Sequence, residues 1–202
     1  MTRRILLATR SVGKLRELRP LFAAAGFEVL DLAAAGIPES PGEDALEVAD
    51  SFEENALLKA RHFTQVAGLP AVADDSGIEV MALGGAPGVR SKRWSGRSDL
   101  AGQALDDENN RLLLARLAGA RDRRARYVCA AALCDGSRDL VERGETMGVI
   151  LEHPRGTGGF GYDPYFESAE LGRTFAEVSA AEKARVSHRG RAFAKLLRVM
   201  GG

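Results

Sequence analysis

Residues Leu69 to Gly77 constrain this chain most. Leu69 to Ala73 is a short apolar run with the length and composition of a buried strand, and it stops at Asp74-Asp75-Ser76-Gly77. Two adjacent carboxylates at a buried strand end resist leaving water unless something pairs them. A chain keeps such a pair most readily where a cation or a catalytic task uses the charge. In open α/β sheets these strand ends are where ligands bind. On a regular strand consecutive side chains point to opposite faces, so one of the two acids serves such a site and the other is hydrogen-bonded structure.

The flanking segments build an α/β frame. Arg4 to Ala8 reads as a strand, Thr9 to Lys14 as a turn, and Lys14 to Ala25 as a helix with Leu15, Leu18, Leu21 and Phe22 on one face. Gly26 closes that helix and Phe27 to Leu32 is a second strand. The span from Ala33 to Asp50 holds two prolines, two glycines and five acids, an exposed-loop composition. Ser51-Phe-Glu-Glu54 has capping-box spacing and opens a helix to about Ala67, with Phe52, Ala56, Ala60 and Phe63 turned inward. Met81 to Gly96 is glycine-rich and reads as loop with short extended pieces; a helix then runs from near Asp99 to Leu117. Ala125 to Cys134 and Leu140 to Leu151 read as strands joined at Asp135-Gly136, a hairpin signal. His153 to Pro164 is loop, Ser179-Ala-Ala-Glu182 is a second capping box, and a last helix follows Gly190. The order predicts a mixed-sheet α/β protein in one domain over residues 1–202.

Composition excludes some functions. Lysine plus arginine equals aspartate plus glutamate, 28 each, so no overall basic field favours nucleic acid. The N-terminal apolar run is not a signal segment, and no stretch approaches the roughly 20 apolar residues needed to span a bilayer. The expectation is a cytoplasmic protein with no membrane partner. Cys129 and Cys134 fall in one strand at odd separation, so they face opposite ways and read as buried free thiols.

Four constellations can carry chemistry. Thr9-Arg10-Ser11-Val12-Gly13-Lys14 joins a strand to a helix N-terminus, where backbone N–H groups, the helix dipole and a lysine suit a phosphate; otherwise it is a solvated turn. Gly156-Thr-Gly158-Gly-Phe160-Gly161 matches a dinucleotide fingerprint only literally, because Tyr162-Asp163-Pro164 follows where a helix should open. It reads instead as a loop whose backbone approaches a flat ligand, with Phe160 or Tyr162 to stack on a base, or as a turn with Phe160 in the core. The acids come third. Any of Glu47, Glu53 and Glu54 can join Asp75 in a magnesium site, since Mg²⁺ takes one or two carboxylates and leaves other positions to water and phosphate; Glu43 and Asp44 read as solvated. Lys183 with Ser187-His188-Arg189 can hold a phosphate or the carbonyl edge of a base, while Lys59 lies beside Asn55 on one helix face.

Taken in order, these segments resemble the inosine triphosphate pyrophosphatase family, the bacterial pyrophosphatases of non-standard purine nucleoside triphosphates. The matching stretches are Leu7 to Lys14, Ser51 to Arg61, Ala73 to Gly77, Leu83 to Val89, Gly156 to Pro164 and Glu182 to Gly190. The resemblance implies an elongated mixed β-sheet flanked by helices, in two lobes with a central nucleotide cleft. It implies hydrolysis of ITP, dITP and XTP to the monophosphate and pyrophosphate with Mg²⁺, by a homodimer. By motif position Asp75 looks like the proton acceptor and a metal ligand, with Glu47 the second ligand by spacing and Glu43 the alternative. Thr9, Arg10, Ser11, Val12, Gly13 and Lys14 look like the triphosphate turn, and Lys59 and Ser76 like further substrate contacts. Phe160, Gly161, Tyr162, Asp163, Lys183, His188 and Arg189 look like base and sugar contacts. Arg10-Ser11 stands where the family commonly has Gly-Asn. Rival readings are a nucleotide sensor without turnover and a pyrophosphatase for modified pyrimidine nucleotides.

Overall fold

The computed structural model describes residues 3–201, and of Asp44 and Ala45 the backbone only. The reading of Met1 and Thr2 as part of a non-signal start, and of Asp44 as solvated, therefore lies outside the described side chains. The chain forms β1 (Arg3–Leu7), α1 (Val12–Ala24), β2 (Phe27–Asp31), α2 (Phe52–Ala67), β3 (Ala71–Val80), α3 (Gly102–Arg116), β4 (Arg124–Cys134), β5 (Asp139–Ile150), β6 (Phe166–Ser168), α4 (Ala180–Val186) and α5 (His188–Met200). The six strands make one sheet in the order β2-β1-β3-β4-β5-β6. β1 pairs in parallel with β2 and β3, whereas β5 and β6 are antiparallel, so the sheet is mixed.

Two compact units divide the chain. The first takes everything up to Asp75, then Cys129–Gly144 and the residues from Arg189 on. Its core joins Ile5, Leu7 and Val72 from the sheet to Leu18 and Phe22 of α1 and Phe193 and Leu196 of α5. The Phe22 ring meets the Phe193 ring edge-on at 5.7 Å. The second unit takes Ser76–Val128 and Glu145–His188. Its core gathers Ile78, Val80, Leu113, Leu117, Tyr127, Ile150, Phe166 and Phe175.

Local signals explain most boundaries. Ser11 caps α1 by accepting the Lys14 N–H, so the helix starts at Val12, two residues before the apolar periodicity suggests. Ser51 caps α2 through the Glu54 N–H, and Ser179 forms a reciprocal capping box with Glu182 on α4. The hairpin turn closes with the Asp135 N–H on the Arg138 carbonyl at 3.2 Å. Among the described residues both cysteines are free and buried, and no helix is long and apolar enough to cross a membrane.

The structure corrects five expectations. β3 does not stop at the acids; it runs on through Ser76 and Gly77 to Val80, because Asp74 and Asp75 each find partners from other segments. The loop before α2 contains a 3-10 turn, Pro41–Leu46. Met81–Leu83 and Gly88–Arg93 are 3-10 turns, and among the described residues the extended part of this stretch is the bridge from Pro87 to Glu79. A short strand, β6, follows the glycine-rich loop. The last helix begins at His188, not after Gly190, since Ser187 caps α4 in an extended conformation and α5 starts at once.

Candidate active site

In the first unit β3 places its two acids in different surroundings. Asp74 is 2% exposed. Its Oδ2 lies 3.0 Å from the Lys14 Nζ and 3.1 Å from the Arg189 Nε. Arg189 in turn donates from Nη1 to Glu17 Oε2 at 2.6 Å. Burial alone would drive the Asp74 carboxyl up, but Lys14, Arg189 and Lys59 outweigh it and hold that group well below its ordinary value. Asp74 is therefore the structural acid of the pair, and it fixes the lysine at the first turn of α1.

Asp75 faces α2. Asn55 Nδ2 donates to its Oδ2 at 2.9 Å, and the Lys59 Nζ stands 3.7 Å from its Oδ1. Burial pushes the Asp75 carboxyl up, Lys59 and Lys14 pull it down, Glu47 pushes it up again, and the balance lies above the ordinary value. This is the direction a proton acceptor needs. Lys59 is buried, 8% exposed. Its ammonium donates to Glu47 Oε1 at 2.7 Å and to the Asp74 carbonyl at 2.6 Å. Burial weakens the Lys59 charge, yet Glu47, Asp75 and Asp74 together raise its proton affinity above the ordinary value.

Among the described residues no group of three or more His, Cys, Asp or Glu gathers as a metal cage. Glu47 and Asp75, from different segments, both contact the Lys59 ammonium, so two carboxylates already share one cationic neighbour. That number suits Mg²⁺, which keeps water and phosphate oxygens for the rest. Asn55 ties these parts together. It accepts the Ala49 N–H, two residues after Glu47, and donates to the Ala49 carbonyl and to Asp75.

The turn before α1 is internally ordered, with Thr9 Oγ1 accepting the Ser11 N–H at 3.2 Å. Gly13 is buried and Val12 is exposed. The Arg10 side chain does not follow Lys14. It donates to the Ile37 and Pro38 carbonyls and grips Glu43 through Nε and Nη2. Glu43, expected to be solvated or a metal ligand, is thus the anchor for Arg10, and this bond holds its carboxyl below the ordinary value.

The second unit holds the other set. The Lys183 Nζ donates to Asp163 Oδ2 at 2.5 Å and sits 4.9 Å from the Phe160 ring centroid. Asp163 also accepts from the Phe160 N–H and the Tyr127 hydroxyl. His188 is 3% exposed and stacks on Tyr127, centroids 4.4 Å apart and planes 4° off parallel. Tyr162 is not a stacking surface: it is buried, and its hydroxyl donates to the Ser91 carbonyl at 2.7 Å. Phe160 is half-buried and is the aromatic left for that role, while Ser76 is half-buried on β3. Gly161 is gripped from α3 by Asp106 and Asn110.

Sequence reasoning assigned no role to Asn55, Glu17, Tyr127, Asp106 or Asn110. For Asn55 a signal existed, one helical turn before Lys59 on the same face. For the others the contact is made across long sequence separations, 172 residues between Glu17 and Arg189.

A mixed α/β sheet with a carboxylate–lysine set beside a helix N-terminus has the chemistry of a class of protein that takes phosphorylated ligands. The chain belongs to the Ham1 family, whose pattern matches residues 5–199. It is 50% identical over 196 residues to the dITP/XTP pyrophosphatase of Frankia alni, covering 96% of this chain and 95% of that one. It is 48% identical over 200 residues to the enzyme of that name from Thermus thermophilus, covering 96% and 90%. Among solved structures, a HAM1 protein from Coxiella burnetii superposes with a TM-score of 0.83 at 36% identity, covering 98% of each chain. The nucleoside-triphosphatase, dITP/XTP pyrophosphatase, of Mycobacterium abscessus superposes at 0.70 with 43% identity, covering 96% of this chain and 98% of the other.

Proposed function

We infer that this chain hydrolyses non-standard purine nucleoside triphosphates, dITP, XTP and ITP, to the monophosphate and pyrophosphate. It is a nucleoside triphosphate pyrophosphatase. Relatives with that activity in their names match it at about half identity over nearly its whole length. The observation that carries the chemistry is the Asp75 carboxylate, 5% exposed, with raised proton affinity, an Asn55 donor at 2.9 Å and the Lys59 ammonium 3.7 Å away.

In this reading the residues act as follows. The first turn of α1 and Lys14 take the triphosphate, where helix N–H groups and an ammonium both favour negative charge. Lys59 supplies a second positive charge. Asp75, oriented by Asn55, accepts the proton of a water attacking the α-phosphorus. Asp75 and Glu47 would hold Mg²⁺, which when bound neutralises phosphate charge and polarises the phosphoryl oxygens. In the second unit Phe160 stacks on the base, and Ser76, Gly161, Tyr162, Asp163 and Lys183 support base and sugar. Arg189 commits Nε and Nη1 to Asp74 and Glu17. The proposal therefore puts the six-carbonyl of the purine on His188. Adenine presents an amino group there, and a mismatched buried donor costs about 1–3 kcal/mol. Arg10 contributes by anchoring the turn through Glu43.

A kinetic panel of ITP, dITP, XTP, GTP and ATP with Mg²⁺ tests the reading. Pyrophosphate release fastest from the first three is expected; orthophosphate release, binding without turnover, or a preference for modified pyrimidines defeats it. Lys14→Ala is expected to raise KM for ITP by about tenfold to a hundredfold, the loss of one or two charge-assisted hydrogen bonds to phosphate. A KM within twofold of the parent would remove Lys14 from the phosphate site. The reading extends to one functional domain, a homodimer and a cytoplasmic location, which light scattering and cell fractionation check.

A further inference from the structure

Gly161, next to the ring assigned to the base, is held at both polar ends by one helix. Asp106 and Asn110 stand one turn apart on α3, so both side chains leave the same face. Asp106 Oδ2 accepts the Gly161 N–H at 2.8 Å. Asn110 Nδ2 donates to the Gly161 carbonyl at 2.9 Å and to the Asp106 carbonyl at 2.9 Å. Asn110 is 4% exposed, and its Oδ1 is buried with no hydrogen-bond partner among the described residues. An apolar side chain would leave no such orphan acceptor. What the asparagine supplies is its donor, and among the described residues the hydrogen bond that donor makes outside α3 goes to Gly161. The glycine sits at φ +63°, a left-handed conformation that a following Tyr162, itself pinned to Ser91, and a preceding Phe160 must both accommodate. The Phe160 N–H is tied to Asp163, and Asp163 to Lys183.

We propose that Asp106 and Asn110 are positioning residues for nucleobase recognition: by fixing the Gly161 peptide they set the plane of Phe160 against the purine, and so govern base affinity rather than phosphorus chemistry. This rests on the functional reading above and adds two residues that determine specificity. The experiment compares Asp106→Ala, Asn110→Ala and the conservative Asp106→Asn with the parent. kcat and KM are measured for ITP with Mg²⁺, and IMP is titrated calorimetrically. Each alanine variant should raise KM and weaken IMP binding by about tenfold, the loss of one hydrogen bond, with kcat changed by less than about twofold. Asp106→Asn keeps an oxygen facing the Gly161 N–H and should stay within about threefold of the parent. Parent-like KM and IMP affinity in both alanine variants, or a fall in kcat at unchanged KM, overturns the proposal. Should Asp106→Ala fail to fold, Asn110→Ala removes the other end of the same grip and decides alone. A parent that turns over no ITP defeats the functional reading separately, and the IMP titration still reports on the loop; a parent that binds no IMP overturns the proposal too.

Discussion

Asp75→Asn is expected to lose about 10²- to 10⁴-fold in kcat while keeping the fold, the range that removal of a general base produces. The substitution preserves shape, and the amide retains an oxygen that can accept from Asn55 Nδ2. The sign of the stability effect is the more telling part. Burial dominates at Asp75 and raises its carboxyl above the ordinary value despite Lys59 and Lys14. A carboxyl raised on folding contributes stability below its unfolded pKa and loses that contribution as pH rises through the folded value. At neutral pH its ionised form therefore counts against the fold, and a neutral amide relieves that cost. Without divalent metal, Asp75→Asn should melt at the parent's temperature or above it while being nearly inactive. Thermal melts in a chelator together with ITP kinetics check both halves. A variant that retains more than a tenth of parental turnover, or that melts well below the parent, contradicts the assignment of Asp75 as a base kept at the expense of stability.

The largest stability effect is expected at Arg189→Met. Arg189 is 2% exposed, and it leaves Asp74 and Glu17 without their guanidinium when removed. Removing one partner of a buried ionic network costs about 3–5 kcal/mol, because the remaining charge stays buried with less compensation, here Lys14 at 3.0 Å from Asp74 Oδ2. For a chain of this length that is a fall of roughly 10 °C in melting temperature. The pH dependence gives the signature. The Asp74 carboxyl is held well below its ordinary value, so the stability it supplies is present above an unfolded pKa of about 3.9 and is lost as pH falls through the folded value. Arg189→Met weakens that depression, so the gap between parent and variant should be widest near neutral pH and narrow in acid. Urea unfolding at several pH values measures it. A loss below about 1 kcal/mol, or a gap that widens in acid, would mean that Arg189 is not the counter-charge the geometry indicates.

The helices were legible where a local device announces them. α2 runs from Phe52 to Ala67 as the serine cap and the spacing of Phe52, Ala56, Ala60 and Phe63 require. The hairpin at Asp135-Gly136 was legible for the same reason, a turn signal between two apolar runs. β3 runs past the point where a local reading ends it, because a carboxylate looks costly to any such reading. The groups that make it affordable are Lys14, 60 residues before Asp74, and Arg189, 115 residues after it. The acid pair was still read correctly as divided, because alternation along a strand is a local rule: Asp74 holds Lys14 and Arg189 while Asp75 meets Asn55 and Lys59. Glu43 reads as solvated or as a metal ligand because nothing nearby in sequence shows that Arg10 reaches it. Tyr162 and Phe160 look equivalent as aromatic candidates, and only the Ser91 carbonyl distinguishes the buried one. The order of the motifs is what proposes their residues as a site; the residues that contact them, Asn55, Asp106, Asn110 and Glu17, carry no such signal, since their chemistry is ordinary and only their partners give it meaning.

The central claim is that a water activated at Asp75 attacks the α-phosphorus of a purine triphosphate. Turnover of ITP with Mg²⁺ in heavy-oxygen water, followed by mass spectrometry of both products, tests it most directly. The account predicts one heavy oxygen in IMP and none in pyrophosphate; label in pyrophosphate, with IMP unlabelled, would place the attack on the β-phosphorus and contradict it.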